Sequence, residues 1–385
     1  MVYDVAVIGG GAAGLYLASR LAGKKVALLE SQSRVGKKLL ATGNGRCNLT
    51  FARPLAEGDY NVPEAADFVN AVSPDDTLAH FRSLGLATRR EDDRVYPYSN
   101  VATSVLDCLR RGVAKAGAEV ITGARVVALR KRDELFGLET VLPDGGGLSL
   151  SAANVVLAGG SDAGGGIDSL SLYTALGHTR RKFAPSLVPL LTDRESVKGL
   201  SGVRAKCVLS AGEHRSKGEI LFRDNGLSGI AAMDISALYA RGEMKVGDVL
   251  AIDFVPELTA EELAKEFSAC GTSVGETLAG WFHSRVAERI AARAGQDLNA
   301  VPDAGALAAT AKNYRLVFEG VRGKDAAQVM SGGLPLAEFD CNLMSKVCAG
   351  AYAVGEALDV DGICGGFNLQ WAWTSAETVA RALVN

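Results

Sequence analysis

No stretch of this sequence approaches the ~18 continuous apolar residues of a membrane-spanning helix. Met1 passes straight into a strand-like run, Tyr3 to Ile8, with no basic leader or cleavage site, so no export signal is expected. The seven cysteines (Cys47, Cys108, Cys207, Cys270, Cys341, Cys348 and Cys364) are odd in number and scattered, without a C-x-x-C pair. That pattern excludes a zinc ribbon or disulfide framework and points to a reducing compartment. The four histidines form no cluster, so no metal is expected, and G-x-S-x-G, H-E-x-x-H and paired-carboxylate signatures are missing. There is no basic excess either: 41 Lys and Arg face 44 Asp and Glu, net −3. This argues against a dedicated nucleic-acid binder. A soluble, cytoplasmic protein that takes a small-molecule substrate is the expectation, with neither membrane nor nucleic acid as partner.

What is present is length and glycine. At roughly 100–200 residues per domain, 385 residues make two or three domains. Glycine stands at 45 residues, about 12% against a usual ~7%, and many glycines in a folded enzyme sit where backbone approaches a ligand. The apolar run Val2 to Ile8 reads as a strand buried on both faces. It leads into Gly9-Gly10-Gly11-Ala12-Ala13-Gly14 and a helical run to Leu21. Gly9 permits a tight turn, Gly11 lets backbone reach a pyrophosphate, and Gly14 lets helix and strand pack closely. A second apolar strand, Lys25 to Leu29, ends at Glu30, whose carboxylate suits ribose hydroxyls and repels a 2′-phosphate.

Two further segments distinguish FAD from NAD. Residues 31–56 carry no acid but five bases, Arg34, Lys37, Lys38, Arg46 and Arg53, around A-T-G-N-G-R-C-N at 41–48. Such a loop can wrap a pyrophosphate and continue along a ribityl chain; a solvated basic loop is the alternative. Near the other end, the strand-like run 350–354 precedes Gly355-Glu356-Ala357-Leu358-Asp359, then Cys364-Gly365-Gly366 and a helix from Phe367 to Val384. Asp359 suits a ribityl hydroxyl, the Gly-Gly turn aims N–H groups at the N1–C2=O edge of a flavin, and Asn368 and Gln370 face its pyrimidine edge.

The G-G-G-A-A-G turn, the T-G-N-G-R-C-N loop and the terminal G-E-A-L-D-V-D-G-I-C-G-G-F-N-L-Q-W-A-W resemble the BaiN/YhiN-type family of FAD flavoproteins. Matching segments run in family order through V-Y-P-Y-S at 95–99, G-H at 177–178, G-E-I-L-F at 218–222, G-L-S-G at 226–229 and M-S-K at 344–346. The resemblance implies an α/β fold whose Rossmann-like FAD domain is built from both chain ends (1–187 and 335–385). It also implies an inserted β-rich, barrel-like domain (188–258 and 319–334) and a small helical subdomain (259–318). Unaided, residues 188–256 read as short strands. Thr259 reads as a cap before Ala260, with helical spacing across 278–290 and 304–317. Together these readings place FAD on Gly9, Gly11, Ala13, Gly14, Glu30, Lys37, Thr42, Gly43, Asn44, Arg46, Cys47, Asn48, Val126, Gly159, Gly355, Glu356, Asp359, Gly365, Gly366, Asn368 and Leu369.

Departures from the family pattern bear on chemistry. Leu221-Phe222-Arg223-Asp224 stands where relatives have L-F-T-H, so no histidine proton donor carries over, and 158–166 lacks the family's Thr, Tyr and Pro. Tyr96, Tyr98 and Arg223 are the candidates for substrate contact. His178 reads as a helix cap or core partner. Cys47 and Cys364 read either as a redox pair or as small residues in tight turns, and Trp371 and Trp373 as packing. No second G-x-G-x-x-G exists, so NAD(P)H, if it is the donor, docks transiently. The expected activity is hydride transfer between flavin N5 and a small organic substrate, by reduction of a conjugated C=C bond or oxidation of an amine. An FAD-dependent RNA-modifying protein and a non-catalytic flavin redox sensor stand as alternatives.

Overall fold

The computed structural model describes residues 2–163, 167–270 and 272–384, and leaves the side chain of Asn44 undescribed. The chain forms two compact units, one of residues 1–184 and 328–385, the other of residues 185–327. Residues 328–334, grouped above with the inserted domain, thus fall in the first unit. Among the described residues no helix is long and apolar enough to cross a membrane.

The first unit is organised by Val2–Ile8, which is almost wholly buried from Val5 onward. This strand pairs in parallel with Val26–Glu30 on one side and Gly147–Leu157 on the other. Glu119–Thr122 extends the parallel sheet beyond Val26–Glu30. On its other edge Gly147–Leu157 serves two more neighbours: its first half pairs antiparallel with Leu135–Val141, and its last three residues pair in parallel with Ala351–Ala353. The C-terminal segment is thereby built into the N-terminal sheet.

The helix Gly365–Val384 completes that joining. It buries 14 of its 20 residues, including Trp371 and Trp373, which is the signature of a helix inside a core. The indole N–H groups donate to Gly355 O (3.1 Å) and Leu49 O (2.9 Å), so both tryptophans are packing residues. Glu377 of this helix, 4% exposed, is held bidentately by Arg20 of the N-terminal helix Ala12–Arg20 at 2.7 and 3.0 Å.

The second unit is a closed antiparallel barrel. Its strands run in the order Leu190–Thr192, Gly226–Ser228, His214–Arg223, Arg204–Ala211, Val249–Asp253 and Tyr314–Val321, and Leu190 pairs with Val321 to close it. Cys207, Leu209, Ile220, Phe222, Leu250, Ile252, Leu316 and Phe318 fill a core of their own. Helices follow at Ala260–Ala269, Val274–Ala279, Ser284–Arg293 and Ala304–Lys312. Thr259 and Glu262 form a reciprocal capping box at the first of these. Two helical readings need correction. The spacing across 278–290 spans a break at 280–283, where His283 caps a new helix by accepting from Arg285 N. The reading across 304–317 ends at Lys312, because Tyr314–Val321 alternates buried and exposed residues with the period of a strand.

Candidate functional site

The glycine turn lies at the carboxyl end of the first strand. Gly9 has φ +113°, and a Cβ there would stand 2.5 Å from Ala158 O. A Cβ on Gly14 would stand 2.0 Å from Gly9 O, so helix and turn touch backbone to backbone. Gly11 differs: nothing lies within 4 Å of its Cβ direction. It caps the helix Ala12–Arg20 without a side-chain hydrogen bond, and no acid stands in the first turn. An anion is therefore favoured there by free N–H groups and the helix dipole. Glu30 is fixed at the end of its strand, accepting from Gly10 N (2.9 Å) by one oxygen and from Gln32 N (2.7 Å) and Ser31 Oγ (3.1 Å) by the other. Ala13 is buried, and a Cβ on Gly355 (φ +63°) would meet its methyl at 3.1 Å.

The basic loop is less free than its sequence suggests. Arg46 donates to Glu91 (2.5 Å) and Asn100 (2.6 Å), and its guanidinium lies 4.1 Å over the Tyr96 ring. Lys38 is paired with Glu356 at 3.1 Å, and Arg53 with Asp59. Arg46, expected to track a pyrophosphate, thus already has a carboxylate of the 88–97 hairpin beside it. Lys37 is exposed, and Thr42 donates to Leu39 O (2.7 Å), opening the short 3-10 turn Thr42–Gly45. Gly43 and Cys47 both have positive φ, +56° and +59°. Cys47 is fully buried, and that burial pushes its thiol up to about 12 against a weaker opposing bond from Thr42. A thiol so raised opposes the redox-pair reading, and Cys47 is a small residue filling a left-handed turn. Asn48 is buried, with its Oδ1 unpartnered among the described residues.

At the other end of the chain, Glu356 accepts from Met330 N (2.8 Å) and from Lys38. Asp359, 3% exposed, accepts from Gly332 N (3.1 Å) and Asn61 Nδ2 (3.3 Å) and pairs with Arg181 at 3.0 Å. This carboxylate, expected to take a ribityl hydroxyl, thus already has one backbone and two side-chain partners. Asn368 accepts from Gly362 N and donates to Gly362 O and Cys364 O, tying the turn before the C-terminal helix. Gln370 is wholly buried among Thr50, Thr77, Thr374 and Val72 O. Gln370 is thus enclosed by protein, while the amide of Asn368 is engaged by its own turn. Gly365 is open, whereas Gly366 packs on Asn48. Leu369 is buried, Val126 lies beside a bulge in Arg125–Arg132, and a Cβ on Gly159 would meet Ser169 Oγ at 2.2 Å.

Of the candidates for substrate contact, Tyr96 is buried at the 42–48 loop, Tyr98 is 68% exposed, and Arg223 is exposed in the second unit. His178 is a core partner, bonded to Glu338 (2.6 Å) and Ser345 (2.7 Å) and stacked on Phe339. Asn61 and Arg181, which take up Asp359, escaped the sequence reading; no local spacing marks a partner 298 residues away.

These residues fit a dinucleotide with a heterocyclic ring: an open glycine at each of two helix starts, a fixed carboxylate at a strand end, and a buried carbonyl lacking a donor. The chain matches the model of the HI0933-like protein Rossmann domain family over residues 3–382. It is 33% identical over 410 aligned positions to a 3-dehydro-bile acid delta(4,6)-reductase of Clostridium scindens, covering 98% of each chain. It is 27% identical to a ribosomal RNA dihydrouridine synthase of Escherichia coli, covering 99% of this chain and 98% of the relative. Among solved structures, a flavocytochrome c3 fumarate reductase in its open conformation shares the fold, with TM-score 0.52 and 14% identity over all of this chain and 79% of that one.

Proposed function

The chain belongs to the HI0933-like Rossmann-domain family, and from that membership we propose that it is an FAD-dependent oxidoreductase acting on a small organic substrate. The observation that carries this reading is the convergence of both chain ends, with Gly355 packed on Ala13 and Gly366 on Asn48. When bound, FAD supplies hydride chemistry through its own ring. The protein binds and orients it: Gly11 and the first-turn N–H groups face the pyrophosphate, and Glu30 takes the ribose hydroxyls. Lys37, exposed and bordering that loop, adds positive charge beside the phosphates. The nucleotide-binding role belongs to the first unit. Tyr98 and Arg223, both exposed, are the substrate-contact candidates with reach to solvent.

The substrate class follows from chemistry that two relatives share. A delta(4,6)-reductase and a dihydrouridine synthase both saturate a carbon–carbon double bond. Reduction of a conjugated C=C bond, with NAD(P)H as transient donor, is therefore the leading reaction, ahead of amine oxidation. RNA modification is the second reading, favoured by the full-length likeness to the synthase; it requires salt-dependent RNA binding.

The test is an absorption spectrum of the purified protein, followed by anaerobic titration with NADH, NADPH or an amine. A flavin spectrum bleached by a nicotinamide and restored by a conjugated enone is the expected result. A protein that holds no flavin after incubation with FAD overturns the proposal, and a flavin that no donor reduces leaves it a sensor instead.

A further inference from the structure

A guanidinium that no carboxylate answers keeps its capacity to take an anion. Arg111 is such a group. It is exposed, its Nη2 donates to Leu84 O (3.4 Å) and Cys108 Sγ (3.0 Å), and no carboxylate among the described residues pairs with it. It stands at one end of an open groove of about 300 Å³ that runs along the helix Ala102–Ala116, facing residues 85–87 and 98–99. Ser104, Asp107 and Arg111 line the groove from that helix, and their spacing puts them on one face. Leu86 and Cys108 are buried beneath, 6% and 3% exposed, while Tyr98 stands 68% exposed at the rim. None of the lining residues is an expected flavin contact.

The polar groups come in sequence. Tyr98 adjoins Ser99, whose hydroxyl is bonded to that of Ser104 at 2.7 Å, leaving one hydroxyl proton to donate elsewhere. One turn on, Asp107 is half-exposed and paired only with Arg110, at 3.5 Å. Arg111 follows after another turn, so about 10 Å of helix separates Ser104 from the guanidinium end. A bare phosphate or carboxylate uses Arg111 alone, and a simple cation is repelled by it. A nucleoside monophosphate uses every group: its base stacks on the tyrosine ring, its ribose hydroxyls donate to the carboxylate, and its phosphate takes the guanidinium. The groove is at the small end of ligand pockets, the size for one such unit.

We propose that this groove is a second nucleotide site, built for one nucleoside monophosphate unit through Tyr98, Asp107 and Arg111. The unit reaches it either as a free nucleotide or as half of the NAD(P)H for which the chain has no second G-x-G-x-x-G.

The experiment titrates AMP by calorimetry into protein saturated with FAD, which fills the glycine turn. NADH and NADPH are followed by the concentration that half-saturates anaerobic bleaching of the flavin. AMP binds, and Arg111→Met and Tyr98→Ala each weaken it about tenfold, while Tyr98→Phe keeps the stack and the affinity. Asp107→Asn weakens AMP but leaves 2′,3′-dideoxy-AMP unchanged. If the unit belongs to the donor, AMP competes with bleaching and Arg111→Met raises the half-saturating concentration by the same factor. If it is a free nucleotide, AMP binding depends on Arg111 and bleaching does not. Either result supports the site and names its source. Without Arg111-dependent AMP binding or Arg111-dependent bleaching, the proposal is overturned. A protein that takes no FAD refutes the FAD reading separately; AMP is then titrated into the unloaded chain, where dependence on Arg111 still decides this site.

Discussion

At the scale of single residues, the glycines of the first turn do different work although they share one motif. Gly14 has a neighbour's carbonyl 2.0 Å from its Cβ position, and Gly11 has nothing within 4 Å. Gly14→Ala forces backbone apart and costs about 1–3 kcal/mol of stability, in the range of an overpacked core. Gly11→Ala meets no protein atom and leaves apo-protein stability within about 0.5 kcal/mol of wild type. In the holoprotein its methyl occupies the pyrophosphate's approach and weakens FAD by about tenfold or more, equivalent to ~1.4 kcal/mol. Thermal melts of apo-protein and flavin titrations separate the two effects. If Gly11→Ala binds FAD as the wild type does, this turn is not the seat of the pyrophosphate.

At the scale of elements, a histidine at a helix contact gives the first unit a pH dependence. His80, in the helix Pro74–Ser83, faces the helix Ala12–Arg20, its ring 4.5 Å from that of Tyr16 and its Nε2 3.1 Å from Ser19 Oγ. Ser19 gives its proton to Tyr16 O, so Nε2–H of His80 is the donor toward Ser19. Burial, reinforced by nearby Arg20, lowers the His80 pKa from 6.5 to about 4. The unfolded chain therefore takes up a proton in the window from 6.5 to 4 that the native state refuses. Stability contributed by neutral His80 is present above pH 6.5 and is lost as pH falls through about 4. His80→Phe keeps a ring against Tyr16 and cannot titrate, so its melting temperature falls less steeply than wild type between pH 7 and 4. Parallel melting curves across that window count against the assignment. The helices and strands themselves were largely legible, because Val2–Ile8, Thr259 with Glu262, and the alternation in Arg204–Ala211 are local patterns. What local pattern does not contain is the far partner. Arg46 reads as an unpaired cation until Glu91 is beside it, and Gln370 reads as a ring contact until Thr50 and Thr77 enclose it. Tyr314–Val317 likewise reads as helix until the barrel gives the alternate residues of Tyr314–Val321 an inside.

At the scale of the whole molecule, the two units keep separate cores, and the chain enters and leaves the second through neighbouring strands. Leu190 pairs with Val321, and Arg322 N donates to Pro189 O at 2.9 Å. All the buried apolar residues of that core lie between Leu190 and Phe318, and every candidate flavin contact lies in the first unit. A fragment of residues 185–327, roughly 140 residues, is large enough to sustain one hydrophobic core. Its barrel needs no strand from outside to close. Expressed alone, it unfolds in a single cooperative transition, with the mixed strand and helix circular dichroism of the parent, and it binds no FAD. A fragment that is expanded, or melts without cooperativity, shows that the barrel depends on the first unit. One that binds FAD moves the cofactor site off the glycine turn altogether.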